Sequence, residues 1–393
     1  MKRLRHAVTL LAPAVVLAGF VATLTAVFAT ARRVVTPARR TPDTAILSVD
    51  TGAQTIELSR TPDTELPGRY GLFTSGTYDY VKLGTVLGVD ARSVRRKLLT
   101  QIESGSEIDR NAAFSGWYYS DPDELHLPYE SVLIGSAAGP CPAWLFPAES
   151  SARDDLWAIQ VHGRGTNKTE CLRAVPVLRA LGATNLLISY RNDGEAPRSR
   201  GGSYGLGTTE WEDVDAAIAY AQRHGAQRIV LMGWSMGGAI SLQTALNSPR
   251  KDSVVGLILE SPVVDWRSVL NFQAGAAGIR EPLPRWALGA LESPLSARLG
   301  GAEAPISFDS LDMVARSAEL TTPTLILHSD DDGFVPVDAS RALAEARPDL
   351  VTMPSFTVAR HTKLWNYDQA SFTDAITTWM VDQGFSASDA PVS

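Results

Sequence analysis

Cysteine and histidine are scarce in this chain, with two of the first and six of the second among 393 residues. The two cysteines, Cys141 and Cys171, leave two readings open: one disulfide suited to an oxidising compartment, or two unrelated buried thiols. Positive charge is also short. The net charge of −7 argues against a general nucleic-acid binder. No unit recurs at repeat length, and no long low-complexity tract interrupts the chain. The run Asp330-Asp331-Asp332 lacks the spacing and the closing glutamate of an EF-hand loop, so no calcium site is expected there. Gly201-Gly202-Ser203-Tyr204-Gly205 is glycine-rich without the strand-to-helix setting of a phosphate loop. Neither a metal nor an organic cofactor is expected.

Apolar residues, by contrast, are plentiful. They make up 45% of the chain against 20% charged residues, enough for a substantial core. The length accommodates one large domain and a smaller module. Near the start, the span from Ala7 to Ala31 carries no charge, lying between Lys2, Arg3 and Arg5 on one side and Arg32-Arg33 on the other. As a helix rising ~1.5 Å per residue, a run of that length spans about 37 Å, more than the ~30 Å hydrocarbon core of a bilayer. Ala29-Thr30-Ala31 has the small-x-small form of a cleavage site. The length favours a retained anchor, so residues 1–40 are expected to be a membrane-anchor or signal segment with a linker. Arginines follow the run as well as precede it, which specifies orientation weakly. The expected arrangement is a single pass with the rest of the chain outside the cytoplasm.

From 41 to 125 the pattern is short and strand-like. Ala45–Val49, Thr55–Leu58, Tyr70–Phe73 and Tyr78–Leu83 are separated by Thr-Pro, Pro-Gly and Ser-Gly turn signals. Ser93–Ile102 reads as one helix, and Phe114–Tyr119 as a packed strand before Asp121-Pro122. A small β-rich module is expected here. Strands and helices alternate from 126 to 386, as in a doubly wound sheet. Asn185–Tyr190 supplies a strand, Glu210–His224 an amphipathic helix, and residues 265–320 an insert containing Trp266, Phe272 and Trp286. Residues 387–393 are expected to be a flexible tail.

The most telling stretch is Gly233-Trp234-Ser235-Met236-Gly237-Gly238. It follows the apolar run Arg228–Met232 and opens the small-residue helix Ala239–Leu246. A Gly-x-Ser-x-Gly between strand and helix is a nucleophile elbow, where the serine sits on a strained turn with its hydroxyl exposed. Further signals follow in order. Leu156–Val161 runs into His162-Gly163-Arg164-Gly165, a His-Gly-x-Gly loop of the oxyanion-hole type. Pro323–His328 reads as a buried strand leading to the aspartate turn, and Leu350–Val358 as a last strand leading to His361.

These segments, with His328-Ser329-Asp330-Asp331-Asp332-Gly333-Phe334-Val335-Pro336, resemble the α/β-hydrolase superfamily, in particular its branch of prolyl-oligopeptidase-like peptidases and bacterial carboxylesterases. The resemblance runs from about Ser131 to Phe385; the first 130 residues have no counterpart in it. It implies a mostly parallel sheet with helices on both faces and a lid at residues 265–320. It also implies a serine hydrolase acting on ester or small amide bonds, possibly in peptides, through an acyl-enzyme. In the family pattern the acid falls four residues past the strand-end histidine and three before Val-Pro, which selects Asp332 over Asp330 and Asp331. Glu260, at the sheet edge, is an alternative acid.

Each role has a physical reason. Serine is a poor nucleophile until an imidazole takes its proton, the part expected of His361. Asp332 would fix the imidazole tautomer and stabilise the imidazolium. The oxyanion needs two preorganised donors, expected to be the backbone N–H groups of Met236 and Arg164. The Arg164 side chain could bind a substrate carboxylate or simply lie over the surface. His162 is expected to order its loop, and His328 to be structural. Other readings of the same residues are a catalytically inactive, membrane-tethered binding module and cofactor-free perhydrolase or haloperoxidase-type chemistry.

Overall fold

The charge-free run at the start of the chain forms one helix, α1 (Lys2–Val35). The computed structural model describes residues 2–37, 40–149 and 155–385, with α1 side chains from Leu17 onward; the tail expected at 387–393 lies outside them. Leu17–Val35 is long and apolar enough to cross a membrane by length and composition. Its last turns do not project freely. Val27, Ala31 and Val35 are buried, and their four-residue spacing makes one stripe along the helix. Ala31 and Val35 of that stripe pack into the same core as the large sheet described below.

The β-rich module is a closed barrel of six strands: β1 (Thr44–Asp50), β2 (Thr55–Ser59), β3 (Tyr70–Phe73), β4 (Tyr80–Val89), β5 (Ser93–Leu98) and β6 (Asn111–Ser115). The order β1-β2-β5-β4-β3-β6 closes on itself by antiparallel pairing throughout. Leu58, Tyr70, Leu72, Val81 and Leu83 fill its interior. Ser93–Leu98, expected to be helical, is a strand. Val94, Arg96 and Leu98 point inward, with Arg95 exposed between them. A buried arginine disguised the two-residue alternation, because charge normally marks the outer face of a strand. Arg96 donates to the carbonyls of Gly84, Thr64, Leu66 and Gly68 at 2.8–3.1 Å. Its guanidinium lies 5.0 Å from the Tyr70 ring centroid. Burial lowers its pKa to about 10, against a small opposing pull from Tyr70.

The larger unit is an α/β sandwich. Its sheet has nine strands among the described residues: β7 (Glu130–Ser136), β8 (Gly139–Phe146), β9 (Leu156–Val161), β10 (Thr184–Ile188), β11 (Arg228–Trp234), β12 (Val254–Glu260), β13 (Thr324–Ser329), β14 (Val351–Thr352) and β15 (Ser355–Phe356). The order is β14-β13-β12-β11-β9-β10-β8-β7, with β15 also on β13. Strands from β9 to β15 pair in parallel, and β7 and β8 are antiparallel. The single last strand expected at Leu350–Val358 is instead two short pieces. Pro354 lies between them, and proline has no N–H to donate to a ladder.

Helices α2 (Val175–Ala180), α3 (Trp211–Arg223), α4 (Met236–Asn247), α5 (Trp266–Ala276), α6 (Leu283–Glu292), α7 (Asp338–Ala346), α8 (Leu364–Tyr367) and α9 (Gln369–Asp382) complete the unit. Residues of α2 and α9 fill the core on one face of the sheet. Residues of α1, α3, α4, α5, α6 and α7 fill it on the other. Cys141 and Cys171 are separate buried thiols. Burial pushes the Cys141 thiol up to about 11, with the Ser136 hydroxyl pulling the other way. The barrel docks beside α8: Arg69 N–H donates to the Asn366 carbonyl at 3.2 Å, and Asn366 Nδ2 returns a bond to the Arg69 carbonyl at 2.7 Å.

Candidate active site

Ser235 stands at the junction of β11 and α4 with φ 51° and ψ −114°, a backbone conformation that costs a non-glycine residue energy. The glycines around it are there for closeness. A Cβ on Gly233 would lie 2.4 Å from the Gly237 carbonyl oxygen, and one on Gly237 would lie 2.0 Å from that of Val161. Strand, turn and helix are therefore pressed together, and the hydroxyl projects at the carboxyl ends of the parallel strands, where open α/β sheets bind ligands.

His361 lies on the loop after β15, between Arg360 (φ 62°) and Thr362 (φ 50°). Several bonds hold that loop. Asp331 Oδ1 accepts from the N–H groups of Ala359 (3.0 Å) and Arg360 (2.9 Å). Ser261 Oγ accepts from Thr362 N–H at 3.1 Å, and the buried Arg173 donates to the Thr362 carbonyl at 2.7 Å. The result is a continuous chain: Ser235 Oγ is 3.1 Å from His361 Nε2, and His361 Nδ1 is 2.7 Å from Asp332 Oδ2.

The three aspartates do three different things. Asp330 is exposed and pairs with Arg341. Asp331 ties its own turn to the His361 loop. Asp332 accepts from the N–H groups of Phe334 and Val335 through Oδ1, both at 2.9 Å, and faces His361 and His328 through Oδ2. Burial pushes its carboxyl pKa up, but the two histidines and their hydrogen bonds outweigh burial and hold it well below the usual carboxylate range. His328 Nδ1 lies 2.9 Å from the Ser340 hydroxyl, and Nε2 faces the Val335 carbonyl (3.1 Å) and Asp332 (3.2 Å). Glu260 points elsewhere. It accepts from the Trp234 indole at 2.6 Å and from Leu364 N–H at 3.1 Å, and burial raises its pKa.

In the His-Gly-x-Gly loop, Gly163 N–H is already engaged, donating to Glu170 Oε2 at 2.8 Å. The backbone N–H groups of Arg164 and Met236 have no acceptor among the described residues. His162 orders the loop, with Nδ1 on the Gly163 carbonyl (2.9 Å), Nε2 on Asp193 (3.1 Å), and its ring stacked on Tyr190 at 4.2 Å. Arg164 lines both hollows beside the site, and its side chain reaches back to the end of α1. It donates to the carbonyls of Arg33 (2.7 Å) and Thr36 (2.8 Å), satisfying backbone oxygens that the end of a helix leaves free.

Two hollows adjoin the Ser235–His361 pair. One is an apolar cavity of about 210 Å³ bounded by α1, α5 and α6 together with Phe334 and Val335. The other, beside His361, is a polar groove lined by Arg40, Trp117, Glu170 and Lys363. Arg40 lies 3.3 Å from the Phe73 ring centroid and 4.5 Å from that of Trp117. The contributions of Thr30, Arg33 and Val34 to the first hollow, and of Arg40 and Trp117 to the second, were invisible in the sequence. They lie more than 100 residues from the elbow, in segments without a motif.

A mostly parallel sheet with a serine on a strand-to-helix elbow, hydrogen-bonded through histidine to an aspartate at the end of a later strand, defines an α/β-hydrolase. The comparisons agree. Residues 161–374 match the alpha/beta hydrolase family, and the chain belongs to it and is a hydrolase. Residues 45–115 match a domain of unknown function (DUF8805). The alpha/beta hydrolase domain-containing protein WAV2 of Arabidopsis thaliana is 27% identical over 260 residues, 63% of this chain and 77% of its own. RutD of Cronobacter turicensis is 31% identical over 149 residues, 32% of this chain and 56% of its own. In structure, the Pyrococcus furiosus esterase Pf2001 superposes with a TM-score of 0.52 at 16% identity, over 67% of this chain and 94% of that one.

Proposed function

We propose that this protein is a membrane-anchored serine hydrolase that cleaves esters through an acyl-enzyme. The observation that carries the reading is the unbroken chain of hydrogen bonds Ser235–His361–Asp332, at 3.1 and 2.7 Å. Ser235 Oγ attacks the substrate carbonyl while His361 Nε2 takes its proton. The carbonyl oxygen becomes an oxyanion, and the free N–H groups of Met236 and Arg164 receive it. On collapse the ester C–O bond breaks, and His361 returns the proton to the departing alcohol. A water molecule then repeats the attack on the acyl-enzyme, with His361 again as base, releasing the carboxylic acid and restoring Ser235. Asp332 stays ionised throughout and holds the imidazole with Nδ1–H toward itself. No cofactor is needed for any of these steps. Helices α5 and α6 act as the lid over Ser235.

Helix α1 is retained rather than cleaved, because Ala31 and Val35 are fully buried against the hydrolase unit. Lys2, Arg3 and Arg5 precede the span, and we place the hydrolase unit on the extracytoplasmic side. Protease added to intact cells digests the hydrolase unit on this reading, and full protection overturns the orientation. For the chemistry, a fluorophosphonate probe labels the wild type and leaves Ser235→Ala unlabelled. Equal labelling of the two would remove Ser235 from the nucleophile role.

A further inference from the structure

We infer that the substrate is an amphiphilic ester drawn from the bilayer that holds α1, its apolar acyl chain entering the cavity between α1, α5 and α6. This rests on the hydrolase reading above and goes on to name the substrate class. The first observation is what walls the cavity. Val34 of α1, Val269 and Leu270 of α5, and Ala287 and Leu288 of α6 line it, and Ser235 opens into it. No acidic side chain is among its described lining residues. Its polar lining residues are Thr30, Arg33, Arg164, Ser235 and Gln273, and the rest are apolar, so most of its wall offers an acyl chain apolar contact.

The second observation is that the membrane helix is itself part of that wall. Arg164, on the oxyanion-type loop, holds the Arg33 and Thr36 carbonyls, and Tyr204 N–H donates to the Val35 carbonyl at 2.8 Å. Close approach completes the docking. A Cβ on Gly301 would lie 2.9 Å from Arg32 Cγ, and one on Gly300 would lie 3.2 Å from Ala31 Cβ. The end of α1 is thus fixed beside Ser235 rather than joined to the domain by a loose tether.

Position along α1 does the rest. Upstream of the buried Val27, residues 7–26 carry no charge, and at ~1.5 Å per residue they measure about 30 Å, one hydrocarbon core. Their described side chains face outward: Leu17, Phe20, Val21 and Leu24 are exposed. Thr30, the first cavity residue of α1, comes one turn later, about 6 Å beyond the end of that span. Around this point exposed apolar side chains stand among the arginines Arg32 and Arg298. Leu299 shares a groove with Val21, Leu24 and Phe28 of α1, and Leu295 is 93% exposed. On α6, Trp286 is half exposed beside the exposed Arg285. Exposed aliphatic, indole and arginine side chains next to a spanning helix are the composition of a membrane-interface surface. An acyl chain leaving the bilayer there passes from one apolar medium to another.

The test uses the full-length protein reconstituted in phosphatidylcholine vesicles, with the palmitate and acetate esters of 4-methylumbelliferone. In the wild type, kcat/KM for palmitate in the same vesicles exceeds that for acetate at least 10-fold. Thr30→Trp and Ala274→Trp, which fill the cavity from α1 and from α5, lower the palmitate-to-acetate ratio at least 10-fold. Palmitate held in separate, protein-free vesicles is hydrolysed at least 10-fold more slowly than palmitate in the protein's own bilayer. Fluorophosphonate labelling of Ser235 is read in the same samples. A flat or inverted ratio, or equal rates from the two vesicle populations, with labelling intact, overturns this inference and leaves the hydrolase reading standing. Absence of labelling in the wild type overturns both.

Discussion

The residues that form the hydrogen-bonded chain and the residues that wall the hollows around it come from different parts of the molecule. Ser235, Asp332 and His361 follow the carboxyl ends of β11, β13 and β15 in one sheet. The walls come largely from outside that sheet, with α1, α5 and α6 on the apolar side and the barrel, through Arg40 and Trp117, on the polar side. The difference is one of tolerance. Reacting groups must be held to fractions of an ångström, whereas a wall needs only shape and polarity, so helices and a barrel of separate origin can supply it.

If that division holds, changes at the strand ends depress hydrolysis of every ester, and changes in the walls alter which esters react. The largest effects come first. Ser235→Ala and His361→Ala are expected to lower turnover about 10⁴-fold or more while circular dichroism and melting stay near wild type. Asp332→Asn should cost about 10³–10⁴-fold. Asp331→Asn should cost about 10-fold, through loss of the bonds that seat the His361 loop, and Asp330→Asn less than 2-fold. A larger loss at Asp331 than at Asp332 would reassign the acid. Asp332 also links activity to stability. Its folded-state pKa is depressed, so its ionisation stabilises the native state above the ordinary carboxylate range, about pH 4. That contribution is lost as pH falls toward the folded value. Urea titrations between about pH 3 and 5 should show a steeper decline for wild type than for Asp332→Asn.

A wall residue should behave otherwise. Val35→Asp places a carboxylate in the fully buried contact between α1 and the hydrolase core, at a cost of about 3 kcal/mol or more to that contact. Limited proteolysis should then cut between α1 and the barrel, and fluorophosphonate labelling of Ser235 should persist. Loss of labelling would mean that α1 holds the reacting groups and is more than a wall. The smallest effect is expected at the barrel seam. There Asp63 pairs with Lys363 at 3.2 Å and Arg360 at 3.6 Å, on either side of His361. These groups are partly exposed, so solvent weakens the pair. Asp63→Asn should change kcat by no more than about 3-fold, checked by steady-state kinetics on a short-chain ester.

The parts of the site that were legible in the sequence are those whose local backbone demands particular residues. Gly233 and Gly237 announce themselves because a Cβ at either would overlap backbone atoms, and Ser235 by its place between them. The selection of Asp332 rests on the pattern that the α/β-hydrolase resemblance implies, and Asp332 is the aspartate that faces His361. Other features misled. Arg96 carried a charge into the barrel interior and made a strand look helical. Pro354 divided the last strand into two short pieces. The two cysteines, open from sequence, are separate thiols, which withdraws the redox argument for an oxidising compartment.

By itself the sequence determined the α/β alternation, the elbow, the order of the candidate groups and the apolar span of α1. All of these are written in local periodicity and turn chemistry. Only the tertiary structure decided that the barrel closes and that Glu260 serves Trp234 and Leu364 instead of His361. The same is true of Arg164 reaching back more than 120 residues to grip the end of α1. Such contacts depend on which surfaces meet. A side chain that binds a distant carbonyl leaves no period or spacing in its own neighbourhood, because the hydrogen-bonding need it satisfies belongs to another part of the chain.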